Sequence, residues 1–420
     1  MKIIPLGAGG EVGRSAFLFK SKEGNVLIDY GIKLHGLEKP QYPENPFNYV
    51  KNIDLFLISH GHLDHVGYLP NLYKLGKKIP WYATPPTYDI ADILWRDSIK
   101  LAKLKGITEH YTNKAVEKAK SNWHPSLFGT YIRHGMFKFR FFDAGHILGS
   151  ASISIELDGK RIVYSGDIGY RSFLQSPFEN FGECDVLIIE GTYANKEHPD
   201  INESKAMLIE KIRETIERGG QALLPAFAVG RTQEVIMAIY NDFPDVPIYI
   251  DGMGKDITRI YLKYPTYIKH FDEFSQYCDN INFVESARDR KKALNGESII
   301  ITTAGMMDGG PVLNYVKELN DNSSIILTGF QVEGSNGHRL LTQSKLKIDG
   351  KEVNIKLPVH YIDLSAHVGK SQIIDAINMA NAEYVLFCHS EKGRANEIIN
   401  ELQEKGIKSG ELINNNIFEI

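Results

Sequence analysis

The chain has 420 residues, 43% of them hydrophobic, and a formal net charge of −4. That is apolar material enough for one large core or two ordinary ones, and the acidic balance excludes a protein that coats nucleic acid by bulk attraction while leaving room for a local basic groove. Three scattered cysteines, Cys184, Cys278 and Cys388, form no CxxC pair and fit a reducing compartment. No apolar stretch approaches membrane-spanning length, and "MKIIPLGAGGEVGRS" meets its glycines too early for a secretory signal, so a soluble, cytoplasmic chain without a membrane partner is expected.

The first third reads as strands: "KIIPL", "SAFLFK", "NVLIDYG" and "LFLISH" are apolar runs punctuated by glycine. In "LGAGGEVGRS", Gly7 and Gly9 suit a dinucleotide-binding turn. Val12 occupies the third glycine position, however, and a strand pattern follows where a crossover helix is required. A turn between two strands is expected instead. "LFLISHGHLDHVGYLP" then concentrates His60, His62, Asp64 and His65 directly behind a strand. Alternate residues of an extended segment point the same way. His60 and His62 therefore project to one side, Asp64 can follow them, and His65 turns elsewhere as a helix begins. Neutral imidazoles with a carboxylate suit zinc in an open, catalytic site, and one such loop can serve two neighbouring ions.

From about Pro85 to Lys120 the pattern is helical, with Arg96, Lys100, Lys103 and Lys105 on a basic face best read as solvated. Strands return in "FKFRFFDAGH", in "ASISIELDGKRIVYSGDIG" with its Asp158-Gly159 hairpin signal, and in "CDVLIIEGTY". His146 and Asp167 sit where strand patterns end in glycine. Beyond about Asn195, helices and strands alternate as in a parallel α/β layer. Asp349-Gly350 marks a further hairpin, and "AEYVLFCHS" sets His389 after a late strand. Taken singly, His146, Asp167 and His389 have ordinary readings as loop or turn residues.

Their order gives them meaning. "LIDYG", "SHGHLDH", "DAGHILGS", "SGDIG" and "FCHSE" resemble, in sequence, the motifs of the metallo-β-lactamase superfamily. The resemblance implies an αββα sandwich with two zinc ions per chain. By analogy His60, His62 and His146 hold one ion. Asp64, His65 and His389 hold the other, Asp167 bridges them, and Asp29 orients ligands. "IIEGTY" with Glu190 and "IDLSAHVGK" with Ser365 and His367 are separated by some 150 residues of α/β pattern. This looks like the β-CASP nucleases, with motifs A at Glu190, B at His367 and C at His389. The implied domains are a discontinuous metallo-β-lactamase domain, residues 1–194 and 349–420, and an inserted β-CASP cap, residues 195–348. The nearest relatives look like ribonuclease J and the endonuclease of the cleavage and polyadenylation specificity factor, especially archaeal forms. Val368-Gly369-Lys370 after motif B and Ser390 after motif C depart from the common pattern.

The implied reaction is hydrolysis of single-stranded RNA to 5′-phosphate and 3′-hydroxyl ends, in exonuclease or endonuclease mode. His367 would be the general acid, tuned by Glu190, with Asp64 and Asp29 completing the catalytic set. In "AVGRTQEV", Gly230, Arg231 and Thr232 fall where a helix N-terminus is expected, a candidate phosphate contact, and Ser365 is a further substrate-binding candidate. A homodimer is compatible with the sequence. An inactive RNA-processing scaffold is disfavoured because every ligand position is filled. A small-molecule hydrolase needs neither the Glu190–His367 pair nor the cap, and His389 disfavours a DNA-repair nuclease.

Overall fold

Runs rich in β-branched and aromatic residues alternate with glycine turns, and they assemble into two seven-stranded sheets. The computed structural model describes residues 1–34, 40–44, 52–74, 78–106 and 110–420. The first sheet runs in the order Phe418–Glu419, Lys2–Gly7, Ala16–Lys20, Asn25–Ile28, Leu55–Leu57, Trp81–Ala83, Trp123–Pro125. The second runs Lys408–Glu411, Tyr384–Cys388, Val186–Glu190, Lys160–Tyr164, Ala151–Leu157, Phe137–Asp143, Tyr131–His134.

Alternation along each strand decides the layering. Phe17, Phe19, Val26 and Leu57 of the first sheet pack on Phe139, Ile153, Ile162 and Ile188 of the second. The first sheet's other face, with Leu18, Leu27 and Phe56, is covered by Ala91 and Trp95 of helix Pro85–Lys105 and by Val116 of helix Asn113–Lys120. The second sheet's other face, with Val163, Leu187 and Val385, is covered by Ile373 and Ile377 of helix Lys370–Ala380 and by Ile398 and Leu402 of helix Asn396–Glu404. The result is the expected αββα sandwich.

The glycine-rich segment after the first strand is indeed a strand-to-strand connection: Lys2–Gly7 pairs antiparallel with Ala16–Lys20. Both predicted hairpins form. Asp158 and Gly159 have φ of 51° and 75°, and Asp349 and Gly350 have 51° and 79°, the two positive values that such tight turns require. The helical stretch expected over 85–120 is two helices, the first closed by Gly106 with φ 63°.

A third sheet, six parallel strands in the order Asn282–Phe283, Ile248–Asp251, Ser298–Thr302, Gln221–Pro225, Ser324–Leu327, Val359–Tyr361, forms the cap. Its last strand lies beyond the 348 boundary read from the sequence, because Ile325 to Leu327 pair with Val359 to Tyr361. We therefore propose that the inserted domain extends to Tyr361. Helices Ile201–Glu217, Arg231–Ile239, Gly254–Tyr261 and Phe271–Asn280 cover one face, and that cluster also takes in Ile90, Leu94, Ile147 and Leu148 of the sandwich. The cap thus packs directly against the loop that carries His146. No helix among the described residues is long and apolar enough to cross a membrane.

Candidate metal centre

Most of the candidate site residues follow the C-terminal ends of strands, and His62, Asp64 and His65 come from the loop and short helix beyond one of them. Asn25–Ile28 and Leu55–Leu57 are parallel neighbours and deliver Asp29 and His60. Lys160–Tyr164, Val186–Glu190 and Tyr384–Cys388 are parallel neighbours and deliver Asp167, Glu190 and His389 at one edge. The short helix Leu63–Val66, opened by His65 and Val66 amides donating to the His62 carbonyl at 3.0 Å each, turns Asp64 and His65 inward.

These placements gather three overlapping groups of donor atoms, each group within 4.8 Å: His60, His62, His146 and Asp167; Asp64, His65 and His389; and Asp167, Glu190 and His389, the last sharing its aspartate and histidine with the other two. His62 Nδ1 lies 3.2 Å from both His60 Nε2 and His146 Nε2. Asp167 Oδ2 stands between the groups, 3.6 Å from His60 Nε2, 3.8 Å from His146 Nε2 and 3.4 Å from His65 Nε2. His389 Nε2 is 3.2 Å from Asp64 Oδ2.

The surroundings of the rings fit a cation. His60 Nδ1 meets Ser59 Oγ at 3.0 Å, His65 Nδ1 meets Asp29 Oδ2 at 2.7 Å, and His389 Nδ1 meets Thr192 Oγ1 at 3.2 Å. In these three rings Nδ1 is engaged and Nε2 turns into the cluster, the arrangement by which outer partners fix the tautomer of a metal-ligating imidazole. His62 instead presents Nδ1 to the cluster, and His146 Nδ1 is buried without a partner. Asp167 Oδ1 is buried without a hydrogen-bond partner. Burial and neighbouring imidazoles hold His60 and His146 well below the usual histidine range, so both rings are neutral and able to donate a lone pair. For Asp167 burial acts upward, but His389, His65 and His367 override it and keep the carboxylate ionised.

Asp29 is fully buried and accepts from the Ser59 amide at 2.8 Å, Ser59 Oγ at 2.7 Å and Tyr164 Oη at 2.9 Å. Asp29 and His389 adopt φ of 57° and 49°, left-handed conformations uncommon for residues other than glycine. His389 is held there by its amide donating to the Ala8 carbonyl at 2.8 Å.

Glu190, at the end of its strand, is wholly buried. It accepts from the Ile168 amide at 2.8 Å, and His367 Nδ1 approaches it at 2.9 Å. His367 Nε2 faces the cluster, 4.0 Å from Asp167 Oδ2. Burial works against its protonation, yet Glu190 and then Asp167 push the pKa up to about 9. Ser365 Oγ accepts from the His367 amide at 3.3 Å, so it steadies the motif B loop.

The Gly230–Thr232 turn differs from the expected backbone anion site. Gly230 N donates to Gln233 Oε1, Arg231 N to the Val229 carbonyl and Thr232 N to the Phe227 carbonyl, at 2.9, 3.1 and 3.1 Å. With those amides engaged, what the turn can still offer an anion is the Arg231 side chain. The turn does sit on the site: a Cβ on Gly230 would lie 2.7 Å from Ile147, the residue after His146. On the basic helix, Arg96 pairs with Asp92 and Glu117 at 2.9 and 2.6 Å, in keeping with a solvated face; the Lys105 side chain lies outside the described residues. Ser59, Tyr164 and Thr192 went unnoticed in the sequence, since an isolated hydroxyl carries no spacing signal.

Known proteins carry the same organisation. Residues 24–224 match the beta-lactamase superfamily domain, 230–340 the Beta-Casp domain, and 352–410 the Zn-dependent metallo-hydrolase RNA specificity domain. The chain belongs to the β-CASP group of the metallo-β-lactamase superfamily. It is 35% identical over 418 residues to "Probable RNase MJ4" of Methanocaldococcus jannaschii, covering 97% of each chain. It is 32% identical to "RNase aCSPSF2" of Saccharolobus solfataricus, over 96% of this chain and 82% of that one. Similarity to "Ribonuclease TTHA0252" of Thermus thermophilus is 31%, over 89% and 90% of the two chains. In fold it resembles a crystal structure of a protein of unknown function from Enterococcus faecalis V583, at TM-score 0.65 and 12% identity over 100% and 99% of the chains.

Proposed function

We propose that this β-CASP chain is a ribonuclease that hydrolyses single-stranded RNA at a centre holding two zinc ions, leaving 5′-phosphate and 3′-hydroxyl ends. A metal-dependent ribonuclease is the reading common to the family membership, the RNA specificity domain and the clustered ligands. The zinc pair and the end chemistry are the finer step. His60, His62 and His146 would hold one ion and Asp64, His65 and His389 the other, with Asp167 between them. When bound, such a pair supplies Lewis-acid polarisation of a phosphate oxygen and of a water molecule.

The observation that carries the reading is the His367–Glu190 pair beside the ligand cluster. Its Nδ1 proton goes to Glu190, which fixes the ring, and its Nε2 proton faces the place where a phosphodiester would lie. Held protonated through neutral pH, Nε2 can give that proton to the departing 3′ oxygen as the P–O bond breaks. Asp29 keeps His65 oriented.

The test uses RNA labelled separately at its 5′ and 3′ ends, with wild type and His367→Ala compared with and without chelator. Chelator-sensitive cleavage that His367→Ala lowers at least a hundredfold supports the reading. Mononucleotide from the 5′ label marks a 5′-to-3′ exonuclease and internal fragments an endonuclease. Absence of both in the zinc-loaded enzyme refutes it.

A further inference from the structure

The glycine-rich segment that fails as a dinucleotide turn touches the metal centre at both of its ends. Residues 8–15 join the strands Lys2–Gly7 and Ala16–Lys20. At one end the Ala8 carbonyl accepts from the His389 amide at 2.8 Å. At the other, the Ser15 amide donates to the Asp64 carbonyl at 2.7 Å, and Ser15 Oγ lies 3.4 Å from His65 Nε2. Asp64, His65 and His389 together make up one of the donor groups. His60, His62 and His146 are supported from elsewhere: His60 Nδ1 meets Ser59 Oγ at 3.0 Å, and the His146 amide donates to Ser150 Oγ at 3.0 Å. Among the described residues, no hydrogen bond joins any of those three to residues 8–15.

The backbone of this segment does not favour its own shape. Ala8 and Arg14 have φ of 59° and 48°. Left-handed conformations are uncommon outside glycine and persist where the surroundings fix them. Glu11 gathers the groups that do so. Its Oε1 accepts from Arg14 Nε and from Asn414 Nδ2, each at 2.7 Å, and its Oε2 accepts from Lys33 Nζ at 3.0 Å. Burial acts upward on its pKa, but Lys33 and Arg14 hold the carboxyl below the usual range, so these bonds are made by a carboxylate.

Asn414, between the strands Lys408–Glu411 and Phe418–Glu419, closes the bracket. Its Oδ1 accepts from the Gly9 amide at 2.8 Å while its Nδ2 donates to Glu11. A Cβ on Gly9 would lie 2.6 Å from the Asn414 nitrogen, so the two backbones meet with no room between them. Arg14 carries the tie onward, donating to the Tyr42 carbonyl at 2.8 Å and pairing with Glu44 at 3.1 Å. One carboxylate thus joins three distant parts of the chain at the middle of the segment whose ends hold His389 and Asp64.

We propose that Glu11 is a positioning residue for one of the two metal sites: by fixing residues 8–15 it sets Ala8 and Ser15, and through them the ligands His389, Asp64 and His65. The proposal rests on the two-ion reading, and its test separates the two. The whole chain, stripped with chelator, is titrated with zinc against a chromophoric chelator, and its folding is followed by circular dichroism. Glu11→Ala leaves one of the two equivalents unchanged and weakens the other about tenfold, the low end for a residue behind a ligand, because Glu11 acts through the backbone. Two backgrounds identify the affected ion. In His146→Ala, which keeps Asp64, His65 and His389, adding Glu11→Ala weakens the remaining ion about tenfold. In His389→Ala, which keeps His60, His62 and His146, it changes nothing. Glu11→Gln retains an acceptor oxygen without the charge and falls between wild type and alanine. If Glu11→Ala does not fold, Asn414→Ala removes the bridge to Gly9 and keeps the Glu11 ion pairs, and the same one-sided weakening is expected. Equal loss in both backgrounds, or loss in neither, overturns the positioning role while leaving the two-ion centre intact. A wild type that binds fewer than two zinc ions overturns both.

Discussion

Truncating Asp29 to alanine removes the acceptor on which one side of the centre is built. The carboxylate takes the Ser59 amide at 2.8 Å, Ser59 Oγ at 2.7 Å, Tyr164 Oη at 2.9 Å and His65 Nδ1 at 2.7 Å. Ser59 Oγ retains His60 Nδ1 at 3.0 Å. The Ser59 N–H and the Tyr164 O–H are left buried and unpaired, while His65 Nδ1 keeps only Ser59 Oγ at 3.4 Å. At about 1–3 kcal/mol for each of the two stranded donors, the loss spans about 2–6 kcal/mol. A water entering the polar space left behind recovers part of it, so a loss in the lower half of that range is expected by urea unfolding of the chelator-treated protein. His65 also loses what orients its ring, and metal affinity measured by competition with a chromophoric chelator should fall about 10–100-fold. Asp29→Asn keeps the shape and an oxygen for Ser59 but turns an N–H2 group toward other donors. It should recover most of the stability and little of the metal affinity. An Asp29→Ala protein within about 1 kcal/mol of wild type, with unchanged metal affinity, would refute the orienting role.

His367 must be protonated to act, and with its pKa near 9 activity should persist through neutral pH and fall as pH rises past that value. Glu190→Gln removes the largest raising influence, so the alkaline limb of kcat/KM should move to lower pH; a stationary limb would exclude His367 as the acid. Metal analysis should find two equivalents per wild-type chain and about one in either His146→Ala or His389→Ala, since each belongs to a different donor group; a single equivalent in wild type would end the two-ion reading. At Gly31 a Cβ would lie 1.8 Å from the Asp64 carbonyl oxygen and 2.0 Å from its carbon, backbone atoms that cannot swing aside. Gly31→Ala should therefore lower both metal content and melting temperature, and wild-type values for both would show that the HxHxDH loop is not fixed by this contact.

Several features follow from local sequence alone. Asp158-Gly159 and Asp349-Gly350 specify their hairpins because both residues tolerate positive φ. Val12 in the third glycine position, with a strand pattern after it, rules out a nucleotide-binding turn, and the antiparallel pairing of the flanking strands agrees. The candidate metal ligands are legible because three histidines and an aspartate in six positions behind a strand have few physical explanations.

Other features exist only once distant segments meet. The short strand Val359–Tyr361 sits in a polar context, and pairing with Ser324–Leu327 alone assigns it to the cap. The Gly230 turn reads as a helix N-terminus with free amides, but nothing local shows that Gln233 and the carbonyls of Val229 and Phe227 will engage them. Arg171 and His198 lie in none of the quoted motifs, and only folding brings His198 Nδ1 to 3.0 Å from Asp363 Oδ2 and Arg171 Nη1 to 4.0 Å from Asp363 Oδ1. Local pattern picks out the candidates for metal and acid chemistry, because that chemistry depends on side-chain type and short spacing. Tertiary structure decided which buried donors lack a partner, because satisfaction of a hydrogen bond is a property of what the rest of the chain brings within 3 Å.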